Sequence, residues 1–293
     1  MSISLATPAL LGLAAALTWG LHDFIGRFSA RAIGQTNTTF GVMLAGLVAL
    51  TVILLAGTGL PAIAPDRSLV LALVAGIAYA AATLFLFTGY RIGSMSVVSP
   101  LAGSYPALNV AFNVAMGSRP DGWAWAGMGA VLAGSLVVAL ATAEHERSGH
   151  IGEGLSARVV AVSLAAALCF ALGVGAGQAA AAASGALEAT WLARIGAVAT
   201  VAGVLFIPRL RAPAPFRWWP AVAVMGLLDT TAMVCVFKAG EMPSPEIAAV
   251  TGASFGGIVS LLGWIVLKEP VGALQWFGIG LIMAGAGVLT AWG

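Results

Sequence analysis

Apolar residues occur along the chain in runs of about 20, separated by short segments with charges, prolines or small polar residues. Runs of this length match a helix that crosses the hydrocarbon core of a bilayer, and they exceed the ~10-residue alternating strands of a membrane β-barrel. Backbone groups in hydrocarbon must be hydrogen-bonded internally, so the runs predict α-helices. We place ten spans, at 8–27, 37–57, 69–90, 97–116, 122–141, 159–182, 187–207, 218–238, 246–267 and 272–291.

The longest polar stretch, at 144–156, divides five spans from five. The two halves also resemble each other. The five residues at 13–17 recur unchanged at 164–168, the segment 90–95 resembles 237–242, and the glycine pattern of 127–134 returns at 278–285. Three matches in one order indicate a duplication. We therefore predict a first five-helix repeat at 1–143, a polar linker at 144–156 and a second five-helix repeat at 157–293.

An odd number of spans in each repeat forces the second copy to insert upside down. Inverted repeats of this kind are typical of secondary carriers, whose substrate site lies near the membrane midplane between the repeats. The predicted fold is an all-α polytopic membrane protein, with ten transmembrane helices in two inverted repeats around a central cavity.

Composition supports a membrane protein and excludes several other classes. Of 293 residues, 60% are hydrophobic and 8% charged, whereas soluble domains carry about 25% charged residues. The lipid bilayer is therefore the expected partner of most of the surface. A net charge of +2 gives no basis for nucleic-acid binding. Cys169 and Cys235 lie in apolar runs, so neither a disulfide framework nor a metal site is expected. The sequence predicts no particular oligomeric state.

Arginines and lysines between spans give a prediction of orientation. Alternate loops starting with the first hold nine of them, and the remaining loops hold Arg67, Arg119 and Lys238. Because positive charge accumulates in cytoplasmic loops, this distribution places both termini outside the cytoplasm.

The second half ends in Leu267-Lys268-Glu269-Pro270, followed by Gln275-Trp276-Phe277-Gly278 and Ala284-Gly285. This pattern resembles the end of an EamA-type repeat of the drug/metabolite transporter superfamily. In the first half, Arg119 stands where the acidic residue is usual. The resemblance implies a ten-helix carrier around a central cavity, similar to the bacterial exporters of aromatic and other amino acids, with multi-pass insertion in the inner (plasma) membrane.

Asp229 is the deepest charged candidate, because it lies about a dozen residues into an apolar span. It could contact a substrate ammonium group or carry a proton, or it could be a hydrogen-bonded packing residue between helices; both interpretations are open. Tyr79, at the equivalent place in the first repeat, is also polar within an apolar span. We expect both side chains at the cavity.

The first span offers Trp19, His22 and Asp23, with Trp19 and Asp23 one helical turn apart. Asp23 is also one turn from Arg27, so an ion pair at a helix end is the plain alternative to a functional role. His22 titrates near neutral pH when unperturbed, which makes it a candidate for proton coupling, although a histidine at such a place is more often simply hydrogen-bonded.

The fourth span begins with prolines, and its repeat partner does the same. Ser99, Pro100, Tyr105 and Pro106 in the first repeat correspond to a segment with Pro243, Pro245, Thr251 and Ser254 in the second. We expect bending at Pro100, Pro106 and Pro245, with freed carbonyls along the cavity; helices that merely start at these prolines are the alternative.

Three further interpretations complete the sequence-based picture. Phe170, with Trp19 and Tyr105, is expected to form an apolar wall for substrate. Arg194, in the seventh span, is expected to snorkel or to pair with a neighbouring helix. The small residues Gly129, Ala133, Gly280 and Ala284 are expected to pack the fifth and tenth spans against each other, with a dimer face as the alternative.

The sequence favours a carrier over an enzyme. The string 252–256 fits the G-x-S-x-G pattern, but it lies within a predicted span, without the strand-to-helix turn of a hydrolase. No cofactor or metal is implied. The expected function is export of a small metabolite, neutral or aromatic amino acids above all; the alternatives are proton-coupled efflux of drugs or organic cations through Asp23 or Asp229 and, from other classes, a membrane-embedded enzyme or a pore.

Overall fold

The computed structural model describes residues 6–61, 63, 65–92, 101–115, 117–147, 157–207, 216–268 and 271–291. Within these ranges every regular element is helical. The α-helices are α1 (Ala6–Ile33), α2 (Gln35–Ala56), α3 (Arg67–Ile92), α4 (Tyr105–Ala115), α5 (Gly122–Arg147), α6 (Ala157–Ser184), α7 (Ala186–Leu205), α8 (Trp219–Lys238), α9 (Glu246–Gly252), α10 (Phe255–Leu267) and α11 (Ala273–Ala291). Short 3₁₀ turns at Phe216–Trp218 and Ala239–Glu241 precede and follow α8.

Eight segments of the described chain are long and apolar enough to cross a membrane, and Gly122–Val138 is a shorter apolar helix. The chain is therefore a multi-pass helical membrane protein. The span expected at 97–116 lies partly outside the described residues, which resume with a helical turn at 101–102 before α4.

Most helices extend beyond the predicted spans. Helix α1 continues to Ile33, and α5 continues to Arg147, so the first four positions of the expected polar linker are helical. The positions 148–156 of that linker lie outside the described residues.

Two aspartates fix the starts of helices at the membrane ends. The Oδ1 atom of Asp66 accepts a hydrogen bond from the backbone N–H of Leu69 at 3.0 Å, and Asp121 accepts one from Ala124 at 2.7 Å. Side-chain acceptors at this position satisfy N–H groups that have no partner within the helix. The Leu69 N–H, with the Ser68 hydroxyl, holds the pKa of the Asp66 carboxyl below its usual range.

Glycine makes the tight turn between the first two helices of each half. Gly34 precedes α2 with φ of 79°, and Gly185 precedes α7 with φ of 86°. These left-handed conformations are strained for residues with a Cβ atom. The two glycines are 151 positions apart, the same offset that separates the starts of α1 and α6, so the two halves repeat the same local structure.

Both halves also contain a broken helix; in the first half the break lies directly before Tyr105 and Pro106, and in the second half it lies well beyond Pro245. Helix α9 ends at Gly252 and α10 begins at Phe255. At the break, the Ser254 hydroxyl donates to the Thr251 carbonyl at 2.6 Å, and Ser104 donates to Leu101 at 2.7 Å before α4.

The expected bending at Pro245 was wrong, because this proline caps the start of α9. Its ring fixes a backbone angle suited to a helix start and removes an N–H group that would have no partner there. Pro106 is the second residue of α4, immediately after the break, where its missing N–H costs no helical hydrogen bond. Pro100 lies outside the described residues.

The two halves interlock. Helix α1 packs on α8 and α10, and the corresponding helix α6 packs on α3 and α4; α2 packs on α8, and α7 packs on α3. Each contact thus has a counterpart in which the halves exchange roles. Glycines make the crossings close: a Cβ atom on Gly76 would lie 1.8 Å from the Ala193 carbonyl oxygen, and one on Gly226 would lie 2.6 Å from that of Val42.

Helices α5 and α11 pack against each other, as the sequence predicted for the fifth and tenth spans, but through different small residues. Gly127 faces Gly285, and Gly134 faces Gly278; a Cβ atom built on any of the four would lie 2.7 to 3.1 Å from the carbonyl oxygen of the facing glycine. The expected residues Gly129, Ala133, Gly280 and Ala284 are exposed on the outer surface. Spacing alone had selected the wrong face, because glycines occur on both faces of each helix.

The crossing of α3 and α7 provides a test of this packing. Gly76→Ala should destabilise the protein by about 1 to 3 kcal/mol, since its Cβ atom meets a backbone oxygen that cannot rotate away. Gly129→Ala is the matched control, because nothing lies within 4 Å of its would-be Cβ atom, and it should leave stability unchanged or raised by up to about 1 kcal/mol. Thermal unfolding in detergent measures both, and equal melting temperatures for the two variants would contradict the close crossing.

Candidate substrate site

Asp229 is the centre of a buried polar cluster near the middle of α8. Its Oδ1 atom accepts hydrogen bonds from the Trp19 indole N–H at 2.9 Å and from the Tyr79 hydroxyl at 2.7 Å. Its Oδ2 atom accepts one from Nη2 of Arg194 at 2.5 Å. Both carboxylate oxygens are therefore occupied, and the cluster joins α1 and α3 of the first half to α7 and α8 of the second.

Arg194 pairs inward instead of snorkelling. It is the ninth of the 20 residues of α7. Its side chain is 0% exposed, and that of Asp229 is 2% exposed. A charge in such surroundings is stable only with a partner, because desolvation costs several kcal/mol per ion. Of the two expectations for Arg194, pairing with a neighbouring helix is the one observed.

The guanidinium has capacity left for another acceptor. Its Nε and Nη1 atoms are buried and have no hydrogen-bond partner among the described residues. The Thr230 hydroxyl, next to Asp229, is also without a partner there, and both Arg194 Nε and Thr230 Oγ1 lie against Gly46. The planar guanidinium is suited to a carboxylate, which it can bind through two donors.

Aromatic rings extend the cluster on one side. The Tyr79 ring meets Phe170 edge-on with centroids 5.7 Å apart, and Phe170 meets Tyr105 at the same distance. Trp19 meets Phe255 at 6.4 Å, and the Arg194 guanidinium lies 6.0 Å from the centre of the Tyr79 ring. The aromatic residues expected to line a substrate site thus adjoin the ion pair.

His22 and Asp23 form a second polar pair on α1. The Nδ1 atom of His22 lies 2.8 Å from Oδ1 of Asp23, and the side chains are 19% and 43% exposed. His22 also interacts electrostatically with Asp229 and Arg194. The side chain of Arg27, the expected partner of Asp23, lies outside the described part of the structure.

The remaining candidates are placed less centrally. Ser254 lies at the break between α9 and α10, where its hydroxyl donates to the Thr251 carbonyl. Gly252, two residues earlier, lies against the Trp19 ring. This helix-to-helix break is not the strand-to-helix turn of a hydrolase elbow. Ser99, like Pro100, lies outside the described residues.

Arg194 is the site residue that the sequence-based list omitted. Its position nine residues into an apolar helix was the available signal, because a side chain so far from either helix end cannot reach the headgroup region. What the sequence could not supply was its partner, which lies on a helix 35 residues away in the chain. The described residues contain no group of three or more potential metal-ligating side chains.

The geometry defines a class of protein: a multi-pass helical membrane protein made of two similar halves, with a buried ion pair and aromatic rings where the halves meet. The model of the EamA-like transporter family matches twice, at residues 6–140 and 157–291. The chain belongs to the EamA-like transporter family and is a membrane transporter of the drug/metabolite type.

One solved crystal structure is similar over almost the whole chain. It is 21% identical, the match covers 98% of each chain, and the TM-score is 0.77. At this identity the likeness shows a shared fold. No curated protein matches the sequence.

The ion pair can be tested with single and double variants. Arg194→Met should destabilise the protein by about 3 to 5 kcal/mol, because it leaves the Asp229 carboxylate buried without its cation. The double variant Arg194→Met/Asp229→Asn removes both charges, and it should be more stable than Arg194→Met alone. Unfolding of Arg194→Met, Asp229→Asn and the double variant in detergent measures the coupling between the two sites; if the effects of the two single variants add up to that of the double variant, the two groups do not form a stabilising pair.

Proposed function

We propose that this transporter exports small metabolites that carry a carboxylate, most of all neutral or aromatic amino acids, across the inner (plasma) membrane. The proposal rests on the buried Arg194–Asp229 ion pair. Hydrogen bonds from Trp19 and Tyr79 connect this pair to the other half of the protein. A site made by both halves changes shape when the halves move against each other, as alternating access requires.

Ten spans in two inverted repeats are part of this proposal, and the direction of equivalent helices supports them. Ala9, near the start of α1, clusters with Ile247 at the start of α9. Gln178, near the end of α6, donates a hydrogen bond to the carbonyl of Pro245, the residue directly before α9. Helices α1 and α6 occupy equivalent places in the repeats, yet α1 starts and α6 ends at the same side of the protein.

The chemistry of the cluster supports a carboxylate as the recognised group. Asp229 already receives three hydrogen bonds and its charge is paired with that of Arg194, which disfavours it as the partner of a substrate ammonium group. Within this cluster, the donors without a partner in the described structure are Nε and Nη1 of Arg194 and the hydroxyl of Thr230. The rings of Tyr79, Phe170 and Tyr105 supply apolar contacts suited to an uncharged or aromatic side chain.

A second candidate, efflux of organic cations, rests on Asp23. Its side chain is 43% exposed although it lies well inside α1, and His22 is its partner in the described structure. A carboxylate at this place is better placed to attract a cation than Asp229, whose charge is already paired with Arg194. Proton coupling through Asp229 would require the ion pair with Arg194 to open.

Counterflow into proteoliposomes distinguishes these candidates. Vesicles are loaded with one unlabelled amino acid from a panel, and entry of a labelled aromatic amino acid is followed, with a labelled organic cation in parallel. Saturable entry of the amino acid that competing carboxylates suppress supports the proposal. Entry of the cation alone, or of neither probe with folded protein, contradicts it.

Two tryptophans provide a matched test of the site. Trp19 donates its indole N–H to Asp229 at 2.9 Å, whereas Trp191, one helical turn from Arg194, donates to the Thr51 hydroxyl at the same distance and not to Asp229; both are 8% exposed. Trp19→Phe should lower counterflow about tenfold, the effect of losing one hydrogen bond to a charged group. Trp191→Phe should leave transport near the wild-type rate. Equal transport rates for the two variants would show that transport does not depend on the Asp229 cluster.

Tyr79→Phe tests the second donor to Asp229. The ring and its contact with Phe170 remain, while the 2.7 Å hydrogen bond is lost. We expect slower transport, again about tenfold, with a folded yield similar to that of the wild type. Full transport activity in this variant, measured by the same counterflow assay, would remove Tyr79 from the proposed site.

A further inference from the structure

Two buried amide side chains each keep one polar atom without a partner. Asn109 on α4 is 0% exposed, and Gln178 on α6 is 3% exposed. The Nδ2 atom of Asn109 and the Oε1 atom of Gln178 have no hydrogen-bond partner among the described residues. Burying a polar atom without a hydrogen bond is costly. Both atoms are therefore candidates for contact with a bound molecule.

The hydrogen bonds that the two amides do make fix which atom of each is free. The Nε2 atom of Gln178 donates to the carbonyls of Val236 and Pro245, at 3.2 and 3.0 Å. Asn113 donates to the backbone carbonyl of Asn109 at 3.0 Å and to its Oδ1 atom at 3.2 Å. Turning either amide over would bring acceptor against acceptor or donor against donor. Asn109 thus offers a free donor, and Gln178 offers a free acceptor.

Both amides lie at the junction of α4, α6 and α9. Helix α4 packs on α6 and on α9, and Pro245, which Gln178 contacts, directly precedes α9. A Cβ atom on Gly175 of α6 would lie 3.6 Å from Nδ2 of Asn109. Gly175 and Gln178 are three positions apart, so they share one face of α6. Asn109 and Gln178 therefore border the same region, and we call them the amide pair.

Glycine at position 175 leaves room beside the amide pair. The nearest heavy atoms to a Cβ atom there would be Nδ2 of Asn109 and the ring of Phe112, at 3.6 to 3.7 Å, which is ordinary van der Waals contact. At Gly177, by contrast, a Cβ atom would lie 2.0 Å from the Phe237 ring. Helix packing therefore requires glycine at 177, whereas it does not account for the room at 175.

The second half shows that the fold does not need an amide at position 109. Tyr105 and Phe255 begin the helix after the break in the two halves, 150 positions apart, and each meets an aromatic ring on the first helix of the other half. Four residues further on, the first half has Asn109 and the second half has Val259. The same helix is thus built with an apolar side chain at this place, so the amide of Asn109 serves another purpose than packing.

Aromatic rings connect the ion pair to the amide pair. Tyr79, which donates to Asp229, meets Phe170, and Phe170 meets Tyr105. Asn109 follows Tyr105 by four positions, and the other amide follows Phe170 by eight, or about 6 and 12 Å along their helices. This order suits a ligand with a carboxylate at one end, an aromatic ring in the middle and a hydrogen-bonding group at the far end of the ring.

We propose that the amide pair recognises a hydroxyl group on the aromatic ring of the substrate. A hydroxyl fits both free atoms, because its one oxygen can donate to Oε1 of Gln178 and accept from Nδ2 of Asn109. An indole N–H could serve only Gln178, and an unsubstituted phenyl ring serves neither. The substrate class is therefore a hydroxyphenyl carboxylate such as tyrosine. The inference rests on the proposed transport of aromatic amino acids and adds a preference that this function alone does not imply.

Two amino acids that differ by one oxygen atom test this preference. In the counterflow assay, tyrosine and phenylalanine compete for entry of the labelled aromatic amino acid. The wild type should bind tyrosine at least about tenfold more tightly, because phenylalanine leaves the buried donor and acceptor unsatisfied. Equal affinities overturn the inference and leave the proposed transport of aromatic amino acids standing. No competition and no entry of either amino acid with folded protein overturns both.

Asn109→Leu removes the donor with little change in side-chain shape. It should lower the tyrosine-to-phenylalanine affinity ratio at least about threefold by weakening tyrosine alone, whereas a merely structural defect would weaken both. Ser163→Ala is the matched control, because Ser163 is also polar and 0% exposed, but its hydroxyl donates to the Val159 carbonyl within α6. It should keep the wild-type ratio. An unchanged ratio in Asn109→Leu overturns the inference.

A third ligand keeps the test independent of any variant. The methyl ether of tyrosine has the same ring and oxygen atom but no proton to donate to Gln178. It should compete at least about tenfold less well than tyrosine for entry into wild-type vesicles. Equal competition by the ether and by tyrosine overturns the recognition of the hydroxyl group.

Discussion

A charge buried in hydrocarbon needs a partner, and the Arg194–Asp229 ion pair meets that need at the centre of this protein. Asp229 also receives hydrogen bonds from Trp19 and Tyr79, so one carboxylate ties together four helices, two from each half. Removal of Trp19 or Tyr79 leaves Arg194 to stabilise the same charge. The arrangement of these four helices where the halves meet, and with it the shape of any site between the halves, depends on this contact.

Close backbone packing makes that contact possible. There is no hydrophobic force between helices in lipid, so they associate through van der Waals contact and hydrogen bonds. Gly76 and Gly226 allow α3 and α8 to approach their partners from the other half to the distance of backbone contact. The same helices carry Tyr79 and Asp229, one turn further along. The glycines that shape the fold thus also set the reach of the polar side chains.

Much of the site followed from the sequence, because a polar side chain in an apolar run is conspicuous. Tyr79 and Asp229 were paired by their equivalent positions in the repeats, and they are hydrogen-bonded to each other. Arg194 was missed as a site residue because spacing along one helix carries no information about a neighbour on another. The helix break of the second half was misplaced for a related reason: Pro245 can start a helix as well as bend one, and Ser254 closes the actual break with a local hydrogen bond.

Hydropathy, turn residues and internal similarity were enough to fix the class of protein, the approximate helices and the duplication, since each is a local property or a comparison of the chain with itself. The tertiary structure decided which faces meet. It chose Gly127 and Gly134 over Gly129 for packing, and it gave Asp229 the guanidinium of Arg194 as its partner. These outcomes depend on helix rotation and crossing, which arise from contacts between residues distant in the chain.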